Sequence, residues 1–302
     1  MPESKVTVEV QGRTLALSNL HKVLYPDVGF TKGEVIDYYV RVAEALLPHI
    51  GDRLLTRRRW PDGTRGQPFF EKNVPRGTPD FVRTVHMAEH GDDGVEYVVC
   101  NDLPTLVWLA NLAALELHVP QWRVGDDDAP LDADLVVFDL DPGPPATIIE
   151  CCDVAQALNA RLEVDGLKAF PKTSGNKGAQ LVVPVEVASS RRTSAYAKRL
   201  ADELQQALPD LVLSSMDKTA RRGKVFIDWS QNNAAKTTIA PYSLRGIDRP
   251  TVSTPLTWDE VAAARSPVDL VFTATDIPDR IDEYGDLLGA LDEHRAALPD
   301  DG

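Results

Sequence analysis

Cysteine is scarce in this chain: three in 302 residues, with no CxxC and no Cys/His spacing of the zinc-binding kind. Zinc ribbons, zinc fingers and disulfide scaffolds are therefore excluded as the basis of the fold. Two of the three, Cys151 and Cys152, are adjacent within "TIIECCDVAQAL". That stretch reads as helix, so the pair is expected as buried small hydrophobes in a reducing compartment. No run of about 18 apolar residues occurs, so neither a membrane-spanning helix nor a membrane partner is expected. The opening "MPESKVTVEV" lacks the basic region and apolar core of a signal peptide. A P-loop of the form GxxxxGK[ST] is also missing.

Positive charge is short overall, with a net charge of −14. Taken alone, that argues against a polyanionic partner, but the distribution reverses the argument. Residues 84–170 carry a net −14 and residues 250–302 a net −9. Residues 1–83 carry +3, residues 171–213 carry +2 and residues 214–249 carry +4. A ligand responds to the local field, so three basic segments remain open to a polyanion. Any one of them is equally a solvated face.

What is present is a 43% hydrophobic chain, long enough for one large or two intimate units. "VTVEVQGRTLALS" alternates and turns at Gln11-Gly12, predicting a hairpin. "TKGEVIDYYVRVAEALLPHI" opens with Thr31 and Glu34 in capping-box spacing and predicts one helix. "NDLPTLVWLANLAALELHVPQW" reads as helix passing into an extended piece around His118, and "GDDDAPLDAD" as a polar surface loop. "DLVVFDLDPGPP" is a strand and turn, "ATIIECCDVAQALNARL" a helix, and "LKAFPKTSGNKGAQLVVPV" strand, Gly-rich turn, strand. "SSRRTSAYAKRLADELQQALP" is a helix, "GKVFIDWSQ" a strand, and residues 279–297 an acidic helix. The alternation lacks a regular βαβ rhythm, so a mixed or α+β sheet fits better than a doubly wound one.

The chemistry concentrates in "LVVFDLDPG". Residues two apart on a strand share a face, so Asp139 and Asp141 project together. Two such carboxylates repel unless a cation lies between them, and a hard divalent ion with oxygen ligands resolves the conflict. Solvation of a strand end, or capping of the next helix, is the simpler alternative. Asp228 in "KVFIDWSQ" ends a second apolar run in the same way. Three such aspartates are what two-metal phosphoryl transfer requires. The turn "KTSGNKG" could cradle phosphate through backbone N–H groups, Ser174 and Lys177, or be a tight surface hairpin. His118 in its apolar segment is either a core residue or a ligand-binding one. Phe69 and Phe70 follow Arg57, Arg58 and Arg59 in a polar loop, where they either stack on bases or staple the loop down.

Taken in order, "SNLHKVLYP", "TRRRWPDG", "PFFEK", "ELHVPQW", "FDLDPG", "TSGNKG" and "DWSQNNAAKTTIAPYSLRG" closely resemble the polymerase domain of bacterial ligase D, in the archaeo-eukaryotic primase superfamily. The resemblance runs over roughly residues 10–290. It implies an α+β primase-polymerase fold: an RRM-like catalytic sheet packed against a second α/β module, with a central cleft, in one catalytic domain over residues 1–302. It implies template-dependent nucleotidyl transfer at gaps and broken DNA ends in non-homologous end joining, favouring ribonucleotides over deoxynucleotides and using two Mn²⁺ or Mg²⁺ ions. By the same resemblance, Asp139, Asp141 and Asp228 are the catalytic metal ligands. His118, Ser174, Lys177 and Arg245 hold the triphosphate with Gln231 beside them; Phe69 and Phe70 line the base pocket and Arg58 lies near the ribose. Asn19, Lys22 and Lys32 grip a 5′-phosphate, and Lys218, Arg221 and Arg222 belong to a loop that positions the primer. Implied partners are gapped or broken duplex DNA with a 5′-phosphate, NTP or dNTP, Ku and a DNA ligase, in a bacterial cytoplasm at the nucleoid.

The chain departs from the pattern twice. Arg58 stands where lysine is expected, and Gln180 stands where relatives often carry histidine. No KxDG ligase motif and no nuclease motif occur, which leaves open a stand-alone polymerase or a domain of a longer protein. Two rival functions read the same residues differently. A haloacid-dehalogenase-like phosphatase would use the first Asp of DxD as nucleophile, but its following Thr or Val is absent from "DLDPGPP". A non-catalytic DNA-end-binding module would not need all three aspartates.

Overall fold

The alternation of the first residues becomes a hairpin in the computed structural model, which describes residues 5–88 and 94–299. Strands β1 (Lys5–Val10) and β2 (Arg13–Ser18) are joined by Gln11 and Gly12, both at positive φ (46° and 75°). That turn geometry matches the natural strand twist. The short strands β3 (Val23–Tyr25) and β4 (Phe30–Thr31) lead into helix α1 (Lys32–Arg41). Thr31 and Glu34 cap α1 reciprocally, as their spacing predicts. The single helix expected over 31–50 is instead two. The chain bends at the fully buried Val42 (φ −96°, ψ 2°) and resumes as α2 (Ala43–Ile50). The bend lets Val35 and Tyr39 on one side and Leu46 and Ile50 on the other enter the same core.

Strands β5 (Leu54–Arg59), β6 (Phe69–Glu71), β7 (Arg83–Met87) and β8 (Val95–Val99) follow, then α3 (Leu103–Asn111) and β9 (Ala114–Val119). They form the first large sheet. Its core faces α1 to α3 and includes Leu55, Leu115 and Leu117. Opposite pairing of β5 with β9 sets Thr56 against His118 and Arg58 against Glu116.

After β10 (Trp122–Val124) comes β11 (Pro130–Pro142), longer than expected. The polar loop is only residues 125–129, because residues 130–134 pair with β10 and Asp134 turns inward to buried Arg53 at 2.7 Å. From β11 the order is α4 (Ile148–Val164), β12 (Phe170–Thr173), β13 (Ala179–Ala188), α5 (Ser190–Ala207), β14 (Val212–Leu213) and β15 (Val225–Asp228). This is a βαββαβ succession with one added short strand, β14, and its strands lie side by side as β12-β13-β11-β15-β14. All pairs are antiparallel except β14 with β15. The arrangement is that of an RNA-recognition-motif sheet. Helices α4 and α5 cover it and share its core with Phe138, Leu140, Leu181 and Ile227. Cys151 and Cys152 sit there as buried free thiols.

The chain then returns to the first sheet. Strand β16 (Thr238–Ile239) pairs with His118 and Val119 of β9. Helices α6 (Trp258–Ala263) and α7 (Ile277–Tyr284) follow. The long acidic helix expected over 279–297 does not form. Gly285, at φ 70°, stops α7, and Asp286 turns inward to His49 and Tyr242; only one further helical turn, Leu291–His294, remains. Two cores therefore stand side by side, and the inner ends of β9, β11, β13 and β16 meet between them.

Candidate active site

The cleft between the two cores has a volume of about 440 Å³ and is lined by His118, Asp139, Asp141, Ser174, Lys177 and Arg245, among others. Beneath it one row of side chains runs across four strands, of which Gln180 and Asp139 line the cleft itself. Lys172 of β12 lies opposite Gln180 of β13, Gln180 opposite Asp139 of β11, and Asp139 opposite Asp228 of β15. Directly paired residues share a face, as do residues two apart, so Asp139, Asp141 and Asp228 all project from one side of the sheet.

Burial first, and then the charge of Asp141, push the Asp139 carboxyl up to about 7. Asp141 is also raised by burial, against the pull of Arg221, whose Nη1 lies 4.0 Å away. Carboxylates raised in this way lack a compensating cation. The donor set is all oxygen, and Asp139 and Asp141 fit a hard divalent ion of the Mg²⁺ or Mn²⁺ kind. Asp228 is differently engaged. It caps the turn that follows β15: Oδ1 accepts from Ser230 N at 3.1 Å and from the Ser230 hydroxyl, and Oδ2 accepts from Gln231 Nε2 at 2.8 Å. Among the described residues, no three Asp, Glu, His or Cys side chains stand ready as a metal cage. Asp228 shares the face of the other two, with its oxygens engaged by this cap.

Opposite the aspartates is a cationic wall built on one carboxylate. Glu116, 1% exposed, receives His118 Nε2 at 2.9 Å, Arg58 Nη1 at 3.1 Å and the Gly246 amide at 3.1 Å, with Arg245 Nε at 3.4 Å. Burial would raise Glu116, but His118, Arg245 and Arg58 together pull it down to about 2. Burial holds the His118 imidazole below its ordinary value, against its hydrogen bond to Glu116. Arg221 Nε is buried with no hydrogen-bond partner among the described residues, and Arg245 Nε, though ion-paired with Glu116, completes no hydrogen bond to it. Buried donors of this kind suit an anionic ligand.

The "TSGNKG" turn closes the third side. Ser174 Oγ accepts from the Gly178 amide at 3.2 Å and the Asn176 amide at 3.4 Å, which curls the turn and leaves Lys177 on the cleft. Two glycines permit the curl. Gly175 sits at φ 71° with Val252 and Ser253 backbone 2.7 Å from any added Cβ, and a Cβ on Gly178 would lie 2.1 Å from the Leu140 carbonyl oxygen.

The remaining sequence candidates surround this centre. Phe69 and Phe70 on β6 are 57% and 62% exposed and lie opposite Arg59 and Arg58. They staple nothing down. Arg58 also stacks over Trp60 at 4.9 Å. Asn19 (φ 54°), Lys22 and Lys32 are brought together in the N-terminal module, where the Lys32 amide donates to the Lys22 carbonyl at 2.8 Å. Lys22 pairs with exposed Asp62 at 3.1 Å, whereas Lys32 is buried with Nζ on Ser18 Oγ at 3.2 Å. Lys218 to Arg221 form one helical turn capped by Asp217, with Arg221 lying 3.9 Å over the Phe226 ring and Arg222 exposed beside it. Glu116 and Lys172 escaped the sequence reading. Glu116 could have been found two residues before His118 on the same strand face; Lys172 looks like any lysine before a turn.

Comparison with known proteins places the chain in a family. The family model for the LigD primase-polymerase domain matches residues 31–288. A "Multifunctional non-homologous end joining protein LigD" from Mycolicibacterium smegmatis is 48% identical over 277 residues, covering 91% of this chain and 36% of the relative. A "Bifunctional non-homologous end joining protein LigD" from Bacillus subtilis is 34% identical over 273 residues, covering 90% of this chain and 43% of the relative. The chain thus spans less than half the length of these curated relatives. A solved structure, the polymerase domain from Mycobacterium tuberculosis ligase D in complex with DNA, superposes with a TM-score of 0.87 at 43% identity, covering 94% of this chain and 99% of that one. The α+β architecture is thus a primase-polymerase fold, and the chain belongs to the LigD primase-polymerase domain family, a family of nucleotidyltransferases.

Proposed function

We propose that the chain carries out template-directed nucleotidyl transfer at gaps and broken DNA ends during non-homologous end joining, favouring ribonucleotides. The observation that carries this is the facing of Asp139 and Asp141 across one cleft from His118, Ser174, Lys177 and Arg245. Carboxylates on one side and phosphate-binding donors on the other are what a nucleoside triphosphate and its ions require. The named relatives are end-joining proteins, and the solved neighbour was captured with DNA. A dehalogenase-like phosphatase does not share this family or fold.

In the proposed reaction the primer 3′-hydroxyl gives up its proton to solvent, its oxygen forms a bond to the α-phosphorus, the bond from that phosphorus to the bridging oxygen breaks, and pyrophosphate leaves. Two Mn²⁺ or Mg²⁺ ions held by Asp139, Asp141 and Asp228 would supply charge neutralisation and a more acidic 3′-hydroxyl. His118, Ser174, Lys177 and Arg245 orient the triphosphate, with Gln231 beside them. Phe69 and Phe70 offer exposed rings to the nascent base pair, and Arg58 sits near the ribose. Asn19, Lys22 and Lys32 receive the 5′-phosphate across the gap, while Lys218, Arg221 and Arg222 steady the primer end. Ku and a ligase are the partners this reaction implies.

The decisive experiment is labelled nucleotide incorporation on gapped duplex with Mn²⁺, comparing the parent protein with Asp139→Ala/Asp141→Ala. The double variant is expected to lose incorporation by about a thousandfold or more, since two-metal chemistry has no substitute donor. Binding to gapped DNA should persist. Undiminished incorporation by the double variant would refute the assignment.

A further inference from the structure

Lys172 is 1% exposed, and its three nearest acceptors are all neutral: Gln180 Oε1 at 2.6 Å, Ser253 Oγ at 2.5 Å and the Thr173 carbonyl oxygen at 3.4 Å. Burial pulls the Lys172 ammonium down, against the Asp139 charge that holds its proton on, and in that protonated form Lys172 can only donate. The Gln180 amide must therefore present its oxygen to Lys172, which leaves its NH₂ group for Asp139; Nε2 lies 2.9 Å from Asp139 Oδ1. Gln180 is 3% exposed, so water has little access to its amide. A buried amide with a donor imposed on one end has a single orientation. That orientation passes along the cross-strand row to the aspartate.

We infer that Lys172 and Gln180 are positioning residues: together they hold Asp139 by Oδ1 in one rotamer and leave Oδ2 for the divalent cation. Lys172 works only through Gln180. The inference rests on the metal role proposed for Asp139. It also gives Gln180 a chemical task at a position whose residue departs from the resembling sequences. Outer-shell partners of this kind hold a ligating carboxylate against rotation.

Donor polarity makes the inference testable. In Gln180→Glu the new carboxylate keeps Lys172 as a partner but cannot donate to Asp139. In Gln180→His a neutral imidazole can accept from Lys172 at one nitrogen and donate to Asp139 from the other. Lys172→Met frees the amide to turn over. Mn²⁺ uptake would be followed by the loss of the free-ion paramagnetic signal, with gapped DNA and nucleotide present, beside kcat, nucleotide KM and the melting temperature.

Gln180→Glu and Lys172→Met should weaken Mn²⁺ binding about tenfold or more and lower kcat, with nucleotide KM at saturating metal within about threefold of the parent. Gln180→His should stay within about threefold of the parent on all three. The inference is overturned if Gln180→Glu takes up Mn²⁺ like the parent, or if Gln180→His is as impaired as Gln180→Glu. Should Gln180→Glu fail to fold, Gln180→His and Lys172→Met decide by the same criteria. A parent protein that takes up no Mn²⁺, or an Asp139→Asn variant that takes it up equally well, would overturn the metal assignment itself. A parent that binds while Gln180→Glu matches it overturns the positioning role alone.

Discussion

Glu116 organises the cationic side of the cleft. One buried carboxylate fixes His118, Arg58, Arg245 and the Gly246 amide, so the donors are oriented before any phosphate arrives. Its folded value near 2 lies below the ordinary 4.5. The stability it contributes is therefore complete above about pH 4.5 and is lost as pH falls toward 2. A shift of that size corresponds to about 3 kcal/mol. Urea melts at about pH 3 and about pH 6 should differ by more in the parent than in Glu116→Gln; equal differences would refute this role. At this scale the sequence was partly legible. Asp139 and Asp141 announce a shared face through their spacing alone. Glu116 does not announce itself, because its meaning lies in Arg245, 129 positions later in the chain.

Among the elements, the segment from β2 to α1 illustrates how local and long-range signals divide. The capping box at Thr31 and Glu34 is local chemistry and was predicted correctly. The break at Val42 was not, because both halves of the segment have helical periodicity and only the shared core demands the bend. The same segment collects Asn19, Lys22 and Lys32. Among the described residues the Lys22 side chain makes an exposed pair with Asp62, which a terminal phosphate dianion can displace. Lys22→Ala should therefore weaken binding to a gap with a 5′-phosphate by about tenfold, the worth of one charge-assisted hydrogen bond, and leave the 5′-hydroxyl gap nearly unaffected. Fluorescence anisotropy on the two gaps checks this, and equal loss on both would rule out a phosphate pocket. The tail makes a complementary point. Its acidic helical pattern was real only as far as Gly285, beyond which Asp286 gains more from His49 and Tyr242 than from another helical turn.

Across the whole molecule the net charge of −14 conceals its working parts. Basic residues 1–83 and 214–249 carry the N-terminal lysines and the loop of Lys218, Arg221 and Arg222, and these belong to different modules on either side of the cleft. Affinity for gapped DNA should therefore depend strongly on salt despite the overall acidity. Neutralising about three phosphates would cost about fortyfold between about 50 and about 200 mM salt. A flat titration would show that the basic segments are merely solvated faces.

Pattern and composition alone decided the first hairpin, the capping box at Thr31 and Glu34, the helices around Cys151 and Tyr196, and that Asp139 and Asp141 share a face, because each is set by neighbours within a few residues. Only the folded chain could decide that Asp228 stands opposite Asp139 yet caps its own turn, that Lys172 is buried behind Gln180, and that Glu116 gathers two arginines and a histidine. Strand register and the meeting of two cores join residues far apart in sequence, and no local periodicity records which strand will lie beside which.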